Sequence, residues 1–387
     1  MTETDPLRLL LLSADFGVGG AERHTLELGA RLNKERFKVF FSHIKPGAAL
    51  LSSPQFSRCE AFSCEGTRWF DIAAARRLAG FIDRNAIDSV LCSNFYPAMI
   101  ASMARLLSRQ RFRISVVYHS TVLPTLKSRL QMRLYVALRA RYDLVVFICN
   151  NQRRHWVESG YPLPLREATI HNGIDVEAFS PDTVPPEAAG RCRTQAGFSQ
   201  SDYVIGICAA LRPEKAHLDI LRALTIVRRN RPEAKLMIIG DGPERDKIEN
   251  LIELADLRGH VFISGYQNDV RPWIVASDVL VLASTAIETF SLAALESMAL
   301  EKPLVMTDIG GASEQVLPGV NGYLFAPGDA AQLAQHLLTL ANPALRKAFG
   351  HEARLTVSRR FAVSHMIARY EDELLNFAKS DMTHHVQ

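Results

Sequence analysis

The feature that most constrains the fold is a repeated alternation of short apolar strands with helical patterns along almost the whole chain. Strand-length apolar runs recur at Leu7 to Ser13, Leu144 to Cys149 and Tyr203 to Ala209, and helical patterns separate the successive strands. Strands that alternate with helices pair as parallel sheets, because each helix returns the chain to the end of the sheet at which the previous strand began. The sequence therefore predicts an α/β protein built on doubly wound parallel sheets.

The alternation is interrupted once, near the middle of the chain, and then starts again. The turn at 171–175 is followed by Phe179 and by three prolines, Pro181, Pro185 and Pro186, which is typical of a domain boundary. We therefore expect a first domain at 1–178 and a second at 179–363, followed by a C-terminal helix at 364–379. A chain of 387 residues is long enough for two such cores.

Two acidic residues, Glu288 and Glu296, lie around the start of one apolar helix. A strand at Val279 to Ala283 precedes Glu288, and Glu296 lies about two turns inside the helix Leu292 to Leu300. Carboxylates so placed can accept hydrogen bonds from sugar hydroxyls and from a ribose diol. The alternative is that Glu288 is a solvated loop residue and Glu296 a helix-surface residue. An anion is expected to meet the free N–H groups near Phe290, Ser291 and Leu292.

Other polar residues also follow predicted strands, where open parallel sheets place ligand-binding groups. Arg212 and Lys215 follow the strand at 203–209, and His119 follows the strand Ile114 to Tyr118. The cations suit a diphosphate, although a solvated pair on a loop is the alternative, and a lone histidine is more often packed or exposed. The first strand leads into a glycine loop with Gly19 and Gly20. Glu22 occupies the position of the third glycine of the dinucleotide-binding motif G-x-G-x-x-G, which disfavours a dehydrogenase.

The segment E-T-F-S-L-A-A-L-E-S-M-A-L-E-K-P at 288–303 contains the spacing E-x7-E. It resembles the signature of the retaining, nucleotide-sugar-dependent glycosyltransferases of family 4, although Thr289 and Ser291 stand where that family more often has glycine. The segments G-G-A-E at 19–22 and N-G-I-D at 172–175 are similar to others of the same family. The resemblance implies the GT-B fold: two Rossmann-like, doubly wound domains facing across a cleft, with the C-terminal helix packed back on the first.

The resemblance also implies roles for residues that match the motifs. Glu288 would orient the transferred sugar and Glu296 would bind the ribose. Arg212 and Lys215 would bind the donor diphosphate, and His119 would bind hydroxyls of the sugar or the acceptor. The remaining donor-binding candidates are Phe290, Ser291, Leu292, Gly265, Tyr266, Gly19 and Gly20.

The function that follows is transfer of a sugar from a nucleoside diphosphate sugar to an acceptor hydroxyl with retention of configuration, in the synthesis of bacterial envelope polysaccharide, lipopolysaccharide or glycolipid. We expect a UDP-sugar in preference to a GDP-sugar, no cofactor, and no metal, because the sequence has no D-x-D pair. Alternatives are a nucleotide-sugar epimerase, a synthase of the sucrose or trehalose-phosphate type, and a catalytically silent scaffold. The acceptor would be a glycan or a lipid-linked glycan.

Composition and charge limit the partners and the location. The first half, residues 1–178, has 24 Lys and Arg against 16 Asp and Glu, a balance of +8, whereas residues 179–387 have 21 against 25, a balance of −4. A basic first half suits an acidic partner or an anionic membrane surface, and it suits nucleic acid less well. The basic amphipathic stretch at 124–143 fits either such a surface or an ordinary domain helix. No apolar run is long enough to cross a bilayer, so we expect a cytoplasmic protein, peripheral at the inner face of the membrane.

Overall fold

The computed structural model describes residues 5–17, 19–53, 56–57, 59–119, 142–159, 166–286 and 288–379. The chain forms two compact units, the first of Met1–His171 with Met366–Gln387 and the second of Asn172–His365. Each unit is built on one parallel sheet, so the predicted doubly wound α/β architecture is confirmed. The basic stretch predicted at 124–143 lies outside the described residues, except for its last two positions.

Among the described residues, seven strands form the sheet of the first unit. They are β1 (Leu7–Ser13), β2 (Phe37–His43), β3 (Ala61–Ser63), β4 (Ser89–Ser93), β5 (Arg113–Tyr118), β6 (Leu144–Phe147) and β7 (Glu167–Thr169). Their order across the sheet is β3-β2-β1-β4-β5-β6-β7, and every pair is parallel. The order reverses at β1, which pairs with β2 on one side and β4 on the other.

Six strands form the sheet of the second unit. They are β8 (Tyr203–Cys208), β9 (Ala234–Ile239), β10 (Val261–Ile263), β11 (Val279–Leu282), β12 (Leu304–Thr307) and β13 (Gly322–Phe325). Their order is β10-β9-β8-β11-β12-β13, again with parallel pairing throughout. This is the strand order of a doubly wound nucleotide-binding sheet, with the reversal at β8.

In the part of the chain that the structure describes, helices lie between many of the successive strands of both units. Those of the first unit are Gly20–Arg31, Ile72–Asn85, Phe95–Leu107 and Asn150–Glu158. Those of the second unit are Pro186–Gln195, His217–Arg228, Arg245–Leu254, Arg271–Ala276, Leu292–Ala299, Ala312–Gln315, Ala330–Thr339 and Pro343–Arg360. Short 3₁₀ turns at Ala49–Ser52, Pro181–Thr183 and Pro213–Lys215 complete the connections.

The strands form these sheets because helices cover both faces, so that consecutive residues are buried. Leu9, Leu10, Leu11 and Leu12 of β1 are all fully buried, which explains why β1 is an apolar run rather than an alternating pattern. Each unit has its own apolar core. The rigid sheets then position the loops that follow their strands.

The C-terminal helix Val363–Lys379 packs on the first unit. Tyr370 is completely buried. The neighbouring Glu371 accepts a hydrogen bond from the backbone N–H of Asn33 at 2.8 Å and forms a 3.0 Å ion pair with Arg36. These contacts attach the end of the chain to the connection between the helix Gly20–Arg31 and β2.

Candidate active site

The second sheet has a topological switch point between β8 and β11. These strands are neighbours, and the connections that follow them lead to opposite parts of the sheet, towards β9 and β12. Ligands of open parallel sheets bind in the crevice outside the carboxyl ends of the strands at such a point. The two loops that leave it, 209–216 and 283–291, contain Lys215 and Glu288.

Lys215, Ser284 and Glu288 form one hydrogen-bonded group at this switch point. The ammonium of Lys215 donates to Oε2 of Glu288 at 2.6 Å and to Oγ of Ser284 at 3.3 Å, and the Ser284 hydroxyl donates to the same carboxylate oxygen at 3.1 Å. Ser284 is buried, whereas Lys215 and Glu288 keep 22% and 14% of their side-chain exposure. An ammonium has three donors, so Lys215 retains one for a ligand.

The loop after β8 is held by the loop after β9. The backbone N–H of Leu211 donates to the carbonyl of Asp241 at 3.0 Å. A Cβ on Gly240 would lie 2.1 Å from the carbonyl oxygen of Ala209, and one on Gly242 would lie 2.6 Å from that of Leu211. The two backbones can approach this closely only because both positions are glycine.

The residue that follows Lys215 has a strained, left-handed backbone conformation. Ala216 has φ 49° and ψ 46°, a left-handed conformation that costs a residue with a Cβ about 1–2 kcal/mol. It lies between the 3₁₀ turn Pro213–Lys215 and the helix that begins at His217. The pKa of buried His217 is lowered to about 4, mainly by burial and further by the charge of Lys215. His217 is therefore neutral at pH 7 and adds no second positive charge here.

The loop after β11 is fixed from two sides. The backbone N–H of Thr285 donates to the carbonyl of Glu214 at 3.0 Å, which joins this loop to the turn that carries Lys215. On the other side, Gly310 packs so closely that an added Cβ would lie 1.9 Å from the carbonyl oxygen of Glu288. The Lys215–Glu288 pair therefore rests on backbone contacts as well as on its own hydrogen bond.

The helix Leu292–Ala299 begins at the expected place, but one of its amides is not free. Ser291 is the N-cap, and its side chain accepts from the N–H of Ala294 at 3.3 Å. The N–H of Ser291, however, donates to Oε1 of Gln315 at 3.2 Å, and Gln315 returns a bond to the Ser291 carbonyl at 2.9 Å. The expectation that Ser291 offers a free amide to an anion is therefore wrong. Phe290 is buried, and Leu292 is the first helical residue.

Arg212 and Glu296 lie in the segments that follow β8 and β11, as Lys215 and Glu288 do. Arg212 is exposed and forms no ion pair within the described part of the chain. Of the two cations predicted to bind a diphosphate, Lys215 is held by side-chain hydrogen bonds, whereas Arg212 has an exposed side chain on the same loop. Glu296 is buried, 4% exposed, in the helix that starts after Ser291.

Gly265 and Tyr266 follow β10 at the same carboxyl edge of the second sheet. Gly265 has φ 72° and forms an isolated bridge with Gly240 of the loop after β9. Tyr266 is 62% exposed, which leaves its ring accessible at this edge. These positions are compatible with contacts to an extended ligand that starts at the switch point.

The glycine loop of the first unit leads directly into the helix Gly20–Arg31. Gly19 is the N-cap residue, with extended backbone. A Cβ there would lie 2.1 Å from Oε2 of Glu22, so this carboxylate folds back over the start of the helix. The pKa of Glu22 is raised, mainly by burial and further by the charge of Asp15. Acidic groups therefore stand beside Gly19 and Gly20 where the sequence predicted the approach of a phosphate.

His119 is half-buried and packs against the buried His24 in the first unit. Its backbone N–H donates to Oδ1 of Asn94 at 2.8 Å, and its ring packs edge-on against His24 with centroids 4.8 Å apart. Nε2 of His24 lies 3.4 Å from the hydroxyl of Tyr370. Burial lowers the pKa of His24 to about 4, and burial and His24 lower that of His119 well below its usual range. Both rings are therefore neutral at pH 7.

Three residues of these sites were missed in the sequence: Ser284, Gln315 and His24. Ser284 directly follows the predicted strand at 279–283, so its position was a signal that could have been used. Gln315 lies 24 residues beyond Ser291, and His24 lies far from Tyr370 in the chain. Contacts between such distant residues have no local sequence signal.

Within the described ranges, no group of three or more His, Cys, Asp or Glu side chains is arranged to hold a metal ion. Nor does that part of the chain contain a helix both long and apolar enough to span a bilayer. All six cysteines are free thiols.

Two family models match successive parts of the chain. The model described as Glycosyltransferase Family 4 matches residues 18–178, and the model described as Glycosyl transferases group 1 matches residues 191–356. The second match contains Lys215, Ser284, Glu288 and Glu296. The first contains His24 and His119.

Individual proteins are similar over much of the chain. N-acetyl-alpha-D-glucosaminyl L-malate synthase of Bacillus anthracis is 25% identical over 318 residues, which cover 81% of either protein. Glycogen synthase of Mycobacterium tuberculosis is 35% identical over 192 residues, 48% of this chain and 43% of that enzyme. The crystal structure of HepE from Anabaena in complex with UDP is similar in fold, with a TM-score of 0.83 at 22% identity, over 96% of this chain and 100% of HepE.

Proposed function

Because this chain belongs to the family 4 glycosyltransferases and has their GT-B fold, we propose that it transfers a sugar from a nucleoside diphosphate sugar to an acceptor hydroxyl with retention of configuration. The observation that carries the proposal is the 2.6 Å contact of Lys215 with Glu288 at the switch point of the second sheet. The group places a cation for the diphosphate beside a carboxylate for the sugar.

The reaction breaks the bond between the anomeric carbon and the β-phosphate oxygen, and the electron pair leaves with the nucleoside diphosphate. The acceptor oxygen forms the new bond on the face from which the diphosphate departs, and its proton goes to a phosphate oxygen of that leaving group. Negative charge develops on the diphosphate, and a fixed cation stabilises such charge most when it is already in place. Lys215 supplies that cation, and the exposed side chain of Arg212, on the same loop, also binds the diphosphate.

The other contacts with the donor are assigned to residues that lie near the same switch point or match the family motifs. Glu288 accepts hydrogen bonds from the sugar hydroxyls and stabilises positive charge at the anomeric carbon, while Glu296 binds the ribose. Gly265 and Tyr266 contact the nucleobase at the outer part of the same edge. Glu288 carries out its role while bonded to Lys215 and Ser284, which fix its orientation. His119 binds hydroxyls of the sugar or of the acceptor.

We favour UDP as the nucleoside diphosphate and a glycan or lipid-linked glycan of the bacterial envelope as the acceptor. HepE, which is similar in fold, has been crystallised with UDP and with UDP-glucose. The basic residues of the first half, with a balance of +8 over 1–178, would favour an anionic membrane surface at which such acceptors are made.

A panel of nucleotide sugars tests the proposal. The full chain is heated with UDP, GDP and ADP and with their sugars, and nucleotide release is then measured for whichever sugar raises the melting temperature. A true donor at a hundred times its dissociation constant stabilises the protein by about 2.7 kcal/mol. NMR of the product then gives the anomer. Stabilisation by none of the nucleotides, or a product with inverted configuration, would refute the corresponding part of the proposal.

A further inference from the structure

The first sheet has its own switch point at β1, and the side chain of Lys45 extends across the end of this strand. β1 lies between β2 and β4. Lys45 follows β2, Tyr96 follows β4, and the Lys45 ammonium lies 5.0 Å from the centre of the Tyr96 ring. Since strands are about 4.8 Å apart, two side chains that meet from β2 and β4 must pass over the carboxyl end of β1. We propose that this place binds an anionic group of the acceptor, through Lys45 and Arg68.

Lys45 is held at this position by its backbone. Its N–H donates to the carbonyl of Ala14, just after β1, at 2.8 Å, and its carbonyl accepts from Nδ1 of His43 at 2.7 Å. The next turn is attached to the glycine loop, because the N–H of Phe16 donates to the carbonyl of Gly47 at 2.8 Å. The exposed ammonium therefore stands beside the loop that leads into the first helix.

Arg68 is brought to the same place from the loop after β3. The hydroxyl of Tyr96 donates to the carbonyl of Arg68 at 3.0 Å. The N–H groups of Thr67 and Arg68 donate to Oδ2 of Asp71, at 3.1 and 3.4 Å. Asp71 also caps the helix Ile72–Asn85, so the backbone of Arg68 is anchored on both sides. Loops after β2, β3 and β4 thus converge on one point.

Lys45 and Arg68 have no acidic partner among the residues that the structure describes. Within the described ranges, neither Lys45 nor Arg68 forms an ion pair with a carboxylate, and both are exposed. A cation that stands over an aromatic ring keeps its remaining donors free for an anion. Asp15 and Glu22, on the glycine loop itself, are suited to hydroxyl groups instead. The site therefore fits a sugar or polyol that carries a phosphate, diphosphate or carboxylate.

This inference rests on the proposed function, because it assigns the class of acceptor to the same enzyme. In the sequence, only Arg23 and His24 are obvious basic residues near the glycine loop. Lys45 lies 21 positions beyond His24 and Arg68 lies further still, and only the order β3-β2-β1-β4 within one sheet brings them there. His24 itself is neutral at pH 7, so it is no substitute for them.

Binding of matched probes tests the inference. The full chain is saturated with UDP, or with the nucleoside diphosphate that stabilises it most, so that the diphosphate site of the second unit is occupied. It is then titrated calorimetrically with glucose, glucose 1-phosphate and glucuronate, and with a polyprenyl diphosphate sugar in detergent against the detergent alone. We expect at least one anionic probe to bind about tenfold or more tightly than its neutral control, as a charge-assisted hydrogen bond would give.

Variants assign that preference to the two cations. Lys45→Ala and Arg68→Ala should each remove most of the preference for the anionic probe, and Lys45→Gln and Arg68→Gln serve where the alanine variant melts early. Lys34→Ala is the matched control, because Lys34 is an exposed lysine that precedes β2 at the opposite edge of the sheet. It should bind all probes as the unchanged protein does.

The outcomes separate this inference from the proposed function. Equal binding of neutral and anionic probes, or an anionic preference that survives in both cation variants, overturns the inference while nucleotide-sugar binding and nucleotide release still support the transferase. Absence of any nucleotide or nucleotide-sugar binding overturns the proposed function itself. Which anionic probe prevails distinguishes a soluble sugar phosphate, a sugar acid and a lipid-linked diphosphate.

Discussion

Ser284 is the residue whose contribution is best isolated by mutation. It holds Glu288 and Lys215 together from a buried position, and its carbonyl accepts from the hydroxyl of Thr307 at 2.6 Å, which fixes its own backbone. It contacts the charged pair through hydrogen bonds and therefore acts as a positioning residue.

We expect Ser284→Ala to lower kcat by about tenfold, because a hydrogen bond to a charged group is worth about 1.5–3 kcal/mol. Steady-state kinetics with the identified donor measures the change. Ser297→Ala is the control, since Ser297 is also buried but donates to the carbonyl of Ala293 within its own helix. A Ser284→Ala enzyme with unchanged kcat would show that the pair needs no such support.

His24 makes stability depend on pH. Its folded-state pKa of about 4 lies below the value of 6.5 for an exposed histidine. Between these values the unfolded chain binds a proton that the folded chain does not, so stability is full above pH 6.5 and falls as the pH falls towards 4. The contribution of His24 should decrease by about 2 kcal/mol between pH 7 and pH 5.

His24→Gln should therefore lose less stability than the unchanged protein over this interval. Urea unfolding at pH 7 and pH 5, followed by fluorescence, gives the difference for each protein. Identical losses would mean that His24 is protonated as easily in the folded chain as in the unfolded one.

At the scale of single residues, sequence analysis found side chains whose chemistry and position after a strand were both informative. Lys215 and Glu288 are of this kind, and the structure brings them together. The assignment of roles to the other candidates stays a prediction. Gln315 was missed because its partner Ser291 lies 24 positions away, and only the fold brings the two together, whereas the position of Ser284 directly after a predicted strand was a signal that could have been used.

Among the structural elements, the loop 283–291 depends on the turn at Gly310. Gly310 has φ 55°, and the space where its Cβ would be is taken by the carbonyl oxygen of Glu288, 1.9 Å away. Gly319 also has positive φ, 78°, but nothing lies within 4 Å of its Cβ position. Both glycines therefore have a backbone conformation that strains other residues, but only at Gly310 would an added Cβ also meet a neighbouring atom.

Gly310→Ala should displace the Glu288 loop, reduce turnover by about tenfold or more and destabilise the protein by more than the 1–2 kcal/mol of the left-handed conformation alone. Gly319→Ala should cost only that strain and leave turnover unchanged. Melting temperatures and nucleotide release of both variants provide the comparison. Equal effects in the two variants would contradict the contact argument.

The start of the helix Leu292–Ala299 illustrates what sequence can predict about an element. The N-cap at Ser291 has a local signal, a hydroxyl directly before an apolar helical run, because capping depends on residues three positions apart. Whether the amide of Ser291 is free depends on Gln315, in another helix, so that part of the prediction was wrong. Local chemistry determines the boundary, whereas tertiary contacts determine what the boundary can bind.

For the whole molecule, alternation of strands and helices was sufficient to predict two doubly wound sheets. The two sheets share the reversal of strand order after their third strand in space, at β1 and at β8. Sequence could not give the strand order itself, because register and neighbours depend on packing between helices and sheet. For that reason the convergence of Lys45, Arg68 and Tyr96 was also out of reach.

Metal independence is a prediction about the whole enzyme. If Lys215 and Arg212 neutralise the departing diphosphate, then transfer should continue at its full rate after treatment with EDTA and dialysis. The rate is compared with that of the same sample after addition of Mg²⁺ or Mn²⁺. A rate that disappears with EDTA and returns with either ion would assign the charge stabilisation to a metal.

The central claim is that Lys215 and Glu288 form the donor site, and nucleotide release by single variants tests it most directly. Nucleotide release from the identified donor is measured, after circular dichroism confirms folding, for the unchanged full chain, Lys215→Ala, Glu288→Gln and the control Lys347→Ala. Lys347 is an exposed lysine of the helix Pro343–Arg360. We predict a fall of about 100-fold or more for Lys215→Ala and for Glu288→Gln, and none for the control. Turnover at the full rate in either variant of the pair would contradict the account.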